Sequence, residues 1–207
     1  MNIYKVIILD ESGSMSSIYR QTLQSMNEVL SGIRRDQEMF PDQRHNVTIV
    51  TFEGQNIRQR RDRVPVERIK NFTEKDYRPG GCTPLYDAMG KTLNRMEGLV
   101  AKGDQVMVTI ITDGYENASR EYSGRTVKAL VSRLREKDWV FAYIGANQDA
   151  VEVAHDLSIA NALNYDATPE GVSVMKERLK MCHNKMARGV ACKAGPEYFA
   201  DLFNEDA

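Results

Sequence analysis

Runs of Val and Ile alternate along this chain with stretches whose apolar residues recur every three or four positions. The first run, Ile3 to Leu9, reads as a buried strand. Past a Ser-rich segment, Ile18, Met26, Val29, Leu30 and Ile33 fall on one helical face. Asn46 to Phe52 is a second strand, with Val47, Ile49 and Thr51 alternating against Thr48, Val50 and Phe52. Gly54 marks a turn, and Ile57 to Val66 reads as a short polar edge strand or hairpin arm. Thr83-Pro84, a cap followed by proline, then introduces a helix carrying Leu85, Met89, Thr92 or Leu93, Met96, and Leu99 or Val100. Val106 to Ile111 is the most apolar strand and is expected at the centre of a sheet. A helix with Val127, Leu130, Val131 and Leu134 follows, then a strand from Trp139 to Ile144. Ala150, Val153, Ala154 and Leu157 mark a short helix, and Ala162 to Tyr165 a last strand. Thr168-Pro169-Glu170 opens the final helix, with Val172, Met175, Leu179, Cys182 and Met186.

Strands that alternate with helices predict an α/β fold with a Rossmann-like, mostly parallel sheet of about six strands. Helices cover both faces, and one edge strand runs antiparallel. This domain is expected over residues 1–188, leaving 189–207 as a C-terminal tail. Within the tail, Tyr198, Phe199, Leu202 and Phe203 lie on one side of a short helix. It either packs on the domain or docks in a partner's groove.

Composition narrows the function classes. A chain of 207 residues suits one domain and can bury enough surface to fold without disulfides. The 28 basic and 29 acidic residues nearly cancel, which argues against bulk attraction to nucleic acid or to a membrane. Cys82, Cys182 and Cys192 form no disulfide framework and suit a reducing compartment, so the expected location is cytoplasmic. No window approaches the ~20 apolar residues a membrane span needs.

The candidate chemistry lies where apolar runs end. Asp10, Ser12 and Ser14 follow the first strand, and Asp113 follows the central one in Ile110-Ile111-Thr112-Asp113-Gly114. Gly80-Gly81-Cys82-Thr83-Pro84 adds a third hydroxyl. Carboxylate and hydroxyl oxygens are hard donors suited to a magnesium-like cation. In a parallel sheet, residues at the carboxyl ends of strands share one crevice.

The pattern Asp10-x-Ser12-x-Ser14, with Thr83 and then Thr112-Asp113-Gly114, resembles the metal-ion-dependent adhesion site of von Willebrand factor A domains. All five positions are filled, and the similarity of element order extends over about residues 1–188. The resemblance is to a stand-alone, bacterial-type member of that family. It implies a Mg²⁺ ion, with Mn²⁺ or Ca²⁺ as substitutes. Ser12 and Ser14 would bind the cation directly, Asp10 and Asp113 mainly through water or hydrogen bonds, and Thr83 in one conformation of the site. It further implies a protein-binding module that captures an exposed Asp or Glu of a partner, without catalysis of its own. Subunits of stress-response or ATPase-associated assemblies are the nearest setting. The alternatives are a Mg-dependent enzyme acting on a phosphorylated small molecule in the same crevice, and a structural subunit whose metal only braces the loops.

Other signals carry weaker expectations. A phosphatase of the haloacid dehalogenase type would need an acid where Ser12 stands, the Gly90-Lys91-Thr92 stretch lacks the first glycine of a P-loop, and no Gly-x-Ser-x-Gly elbow occurs. Glu11 is expected to be solvated, and His45, His155 and His183 at the surface or partly buried. Arg58, Arg60, Arg61 and Arg63 form the densest basic cluster; without interleaved aromatics it reads as an edge strand protected by charge. Tyr115, Glu116 and Asn117 either select a partner at the rim or serve loop chemistry. Cys82 is incidental to the site.

Overall fold

A computed structural model describes residues 1–146 and 149–203; positions 204–207 of the tail lie outside the described residues. The strands are β1 (Asn2–Asp10), β2 (Arg44–Glu53), β3 (Asn56–Pro65), β4 (Gln105–Thr112), β5 (Val140–Ala146) and β6 (Asn161–Tyr165). The helices are α1 (Tyr19–Met39), α2 (Leu85–Glu97), α3 (Gly124–Arg135), α4 (Ala150–Asp156) and α5 (Pro169–Cys192). They build one six-stranded sheet in the order β3-β2-β1-β4-β5-β6. All neighbours are parallel except β2 and β3, which form an antiparallel edge hairpin.

Burial on both faces explains why β1 and β4 read as continuous apolar runs rather than alternating ones. Val6, Ile8, Val108 and Ile110 face α2, α3 and α4, while Ile7, Leu9 and Ile111 face α1 and α5. Helix α5 is capped as its sequence predicts: the Thr168 hydroxyl accepts from the Gly171 amide at 3.0 Å, ahead of Pro169. Helix α2 is not. No side chain at Pro84 or Thr83 caps it; Glu116 Oε2 accepts from Tyr86 N and Ser119 Oγ from Asp87 N instead. The Thr83 hydroxyl is thereby left out of the helix start.

Two histidines depart from expectation. His45 and His183 are fully enclosed between β1, β2 and α5, and only His155 is exposed. The reason is register. In a sheet covered on both sides the second strand has no outer face, and position 183 falls on the inner stripe of α5 with Leu179, Cys182 and Met186.

The tail returns to the domain. Leu202 is buried with Ile3, Met107 and Val140, and its amide donates to Asn161 Oδ1 at 2.7 Å. A Cβ placed on Gly189 would stand 2.6 Å from the Tyr198 ring, so the missing side chain is what lets the tail lie against α5. Leu202→Ala is expected to cost about 3 kcal/mol, read as a lower urea midpoint at unchanged slope.

Candidate metal centre

Strands β1 and β4 lie side by side with Leu9 opposite Ile111, so Asp10 and Asp113 emerge next to each other at the carboxyl edge. Asp10 is enclosed and held from two sides. Its Oδ1 accepts from the Ser12 amide at 2.7 Å and its Oδ2 from the Thr112 hydroxyl at 2.6 Å. Ser12 Oγ lies 3.1 Å from Ser14 Oγ, and Ser14 Oγ donates to Asp113 Oδ1 at 2.5 Å. Thr83 arrives from a separate loop. A Cβ on Gly114 would sit 3.7 Å from Ser14 Oγ and 3.8 Å from Thr83 Oγ1, so both hydroxyls border one small space beside Asp113. The structure brings Asp10, Ser12, Ser14, Thr83 and Asp113 together at one edge of the sheet.

Backbone bonds fasten the loops that carry them. Gly13 N donates to Gly81 O at 3.1 Å, Gly80 N to Glu11 O at 2.9 Å, and Gly54 N to Cys82 O at 2.8 Å. Gly81 has φ of 69°, a left-handed conformation that a side chain would strain, and this turn aims Thr83 inward. On its other side Thr83 exchanges two bonds with Asn117: its amide donates to Asn117 Oδ1 at 2.9 Å, and its carbonyl accepts from Asn117 N at 3.2 Å.

The electrostatics leave the carboxylates short of positive charge. Burial pushes Asp10 up to about 6, against the pull of hydrogen bonds from Thr112 and Ser12, and the neighbouring Asp113 charge adds to the rise. Asp113 is raised by burial too, with only the Ser14 hydroxyl and a backbone bond opposing it. Among the described residues the hydrogen-bond partners of the two carboxylates are hydroxyls and backbone amides rather than cationic side chains. The rise in Tyr165, again mainly from burial, has Asp113 and Asp10 as further causes, and no described protein group hydrogen-bonds its buried hydroxyl. Among the described residues no group of three or more His, Cys, Asp or Glu side chains is arranged to hold a metal. A cation here would rest on two carboxylates and three hydroxyls. That set of hard oxygens, with paired buried acids whose hydrogen-bond partners are neutral, fits a divalent ion of the magnesium class.

Several sequence expectations need correction. Glu11 is not solvated: its carboxylate is fully buried, accepting from Arg60 Nη2 at 3.0 and 3.1 Å and from the Arg78 amide. The arginine cluster does lie on an edge strand, β3, as expected, and its side chains are engaged in ion pairs. Arg58 pairs with Glu53, Arg61 with Asp76, and Arg63 with Asp62. Glu116 serves loop chemistry, accepting from Tyr86 N, Ala118 N and Ser119, and Asn117 anchors Thr83. Tyr115 is exposed on that loop. Thr112 and Tyr77, whose hydroxyl donates to Asp10 O at 2.9 Å, were not anticipated as supports. Thr112 had a signal, because it shares its strand face with Ile110 beside Asp10; Tyr77 had none.

No protein-family model and no curated protein matches the chain. Solved structures do. Proximal thread matrix protein 1 from the mussel byssus aligns at 18% identity and TM-score 0.64, covering 86% of this chain and 45% of that one. The vWF domain of the type V pili tip protein Mfa5 from Porphyromonas gingivalis aligns at 9% identity and TM-score 0.56, covering 93% and 96%. Manganese-loaded TRAP from Plasmodium vivax aligns at 16% identity and TM-score 0.54, covering 85% and 72%. The chain thus spans under half the length of the mussel protein it matches. At these identities the likeness defines the fold, which is von Willebrand factor A-like.

Proposed function

We propose that the chain is a metal-dependent protein-binding module whose adhesion site consists of Asp10, Ser12, Ser14, Thr83 and Asp113. The observation that carries this reading is the meeting of three hydroxyls from two loops beside two buried carboxylates, whose hydrogen-bond partners among the described residues are neutral. A bound Mg²⁺, or Mn²⁺ in its place, would supply a positively charged position to which a partner's Asp or Glu attaches. The protein's residues do the rest. Ser12, Ser14 and Thr83 offer neutral oxygens, so they hold an ion without cancelling its charge. Asp10 is oriented by Ser12 N and Thr112, and Asp113 orients the Ser14 hydroxyl. The manganese-loaded state of the TRAP structure supports a divalent ion in this fold.

A binding role without catalysis is favoured over a phosphate-handling enzyme by the state of Glu116. Both of its oxygens are occupied by loop amides and the Ser119 hydroxyl, so it is poorly placed to move protons. Three free thiols favour a reducing compartment and hence a cytoplasmic setting, while the assignment to a bacterial-type assembly rests on the family resemblance alone. No described helix is long and apolar enough to cross a membrane. The test is a pull-down from lysate of the source organism with Mg²⁺ or with chelator, using Ser12→Ala as matched control. A protein retained only with Mg²⁺ and intact Ser12 is the expected result. Equal recovery in every arm would mean that the cation does not form the contact.

A further inference from the structure

Two residues of the arginine-rich strand, Arg58 and Arg60, reach a glutamate that lies directly behind the cation site. Glu11 stands between Asp10 and Ser12, and its backbone already bridges two loops. Its amide donates to Phe52 O at 2.9 Å, and its carbonyl accepts from Gly80 N at 2.9 Å. Its side chain points away from the site into a fully buried position, where one oxygen also takes the Arg78 amide. An isolated carboxylate there would be strongly disfavoured. Arg60 answers it with a single terminal nitrogen shared between both oxygens, at 3.0 and 3.1 Å, while its Nε donates to Thr51 Oγ1 at 2.9 Å. Arg58 extends the chain of charges, 3.6 Å from Glu11 and 2.8 Å from Glu53. Glu53 in turn fills the space beside Gly81, where an added Cβ would meet its Oε2 at 2.6 Å. Glutamate and arginine therefore alternate from the edge strand to the two loops that supply Ser12, Ser14 and Thr83.

We propose that Arg60 and Glu11 are positioning residues of the cation site, an ion pair through which edge strand β3 sets the spacing between the Ser12–Ser14 loop and the Thr83 loop. The inference rests on the cation-site reading above. Neither residue touches the ion. Glu11 is neutralised from behind, so it does not compete with Asp10 for the cation, and it ties the Arg78–Gly80 segment to the serine loop. Loss of the pair leaves all five donors in the sequence but relaxes the fit between loops, and outer partners of this kind typically alter metal affinity by 10–100-fold.

The test compares Mn²⁺ affinity, from electron paramagnetic resonance of free Mn²⁺, with thermal unfolding in chelator. The proteins are wild type, Arg60→Met, Arg60→Lys, Glu11→Gln and the double variant. Arg60→Met and Glu11→Gln are each expected to weaken Mn²⁺ binding about tenfold, with the double variant little worse than either, because both remove one interaction. Arg60→Lys keeps the charge and should recover part of the loss. Asp62→Asn, on the same strand, breaks the pairs with Arg63 and with Arg95 of α2. It should lower the melting point yet leave Mn²⁺ affinity within about twofold. Wild type that fails to bind Mn²⁺ would overturn the cation site and this inference with it. Wild-type binding matched within twofold by folded Arg60→Met and Glu11→Gln would overturn the inference alone, as would an equal loss in Asp62→Asn.

Discussion

Asp113→Ala is expected to abolish saturable Mn²⁺ binding, a loss of at least about 100-fold, while the chelator-treated variant melts no lower than wild type. The two halves of this result have one cause. Asp113 is buried beside Asp10 with a hydroxyl for company, so in the absence of a cation its charge is a liability to the fold. Alanine removes that liability together with the hydrogen bond from Ser14, and these changes oppose each other in stability. For the cation nothing opposes the loss, since only one carboxylate would remain at the site. Ser14→Ala removes a neutral donor and should weaken binding by a smaller factor, about tenfold. Titration of Mn²⁺ by paramagnetic resonance alongside calorimetric melting checks both. Unchanged Mn²⁺ affinity in Asp113→Ala would remove the cation from the proposed function.

Both the fold and the meeting of the five donors have local signatures, and this is why they could be read from the chain. Apolar runs such as Val106 to Ile111 mark strands covered on two faces, and a polar residue just past such a run must emerge at the sheet edge. Asp10 and Asp113 are two such residues. What stayed illegible depends on long-range pairing. Glu11 and Arg60 are 49 positions apart, and a loop carries no periodicity to say which way Glu11 points. The antiparallel turn at Gly54 brings Arg58 and Arg60 back over the end of β2, and that geometry converts a basic cluster into a set of partnered charges. Lys5 was legible in principle: it lies within a strand whose neighbours on both sides are strands, so burial follows from topology. His183 likewise continues the inner stripe of α5.

Those two residues belong to an interior polar nest whose buried histidines, His45 and His183, should each favour unfolding as pH falls. Lys5 Nζ, fully buried, donates to His183 O at 3.2 Å, and burial lowers the amine to about 8 despite the nearby Asp36. His45 Nε2 meets Gln43 Oε1 at 3.0 Å, but its Nδ1 and both ring nitrogens of His183 have no hydrogen-bond partner among the described residues. Burial holds both imidazoles neutral, His45 to about 3 and His183 well below its ordinary value, with the Lys5 charge adding to the effect. At these two positions the folded protein therefore binds fewer protons than the unfolded chain once pH falls below about 6.5, and their contribution to stability drops as pH falls through that window. Each histidine that stays neutral costs roughly 2 kcal/mol between pH 7 and pH 5. Asp10 and Asp36, both raised by burial, act in the opposite sense as they protonate, so the total slope is a poor measure of either histidine. Lys5 changes charge only in the alkaline range and leaves this window untouched. The variant His183→Leu isolates the term. It removes two unpaired buried nitrogens at similar volume and should stabilise the protein by about 2 kcal/mol at pH 7. For a chain of this length that is a rise of roughly 4–8 °C in melting temperature. At pH 5 the advantage should be larger than at pH 7, because wild type alone carries the proton penalty. A stability gap that does not widen between pH 7 and pH 5 would mean that His183 is not held neutral in the core.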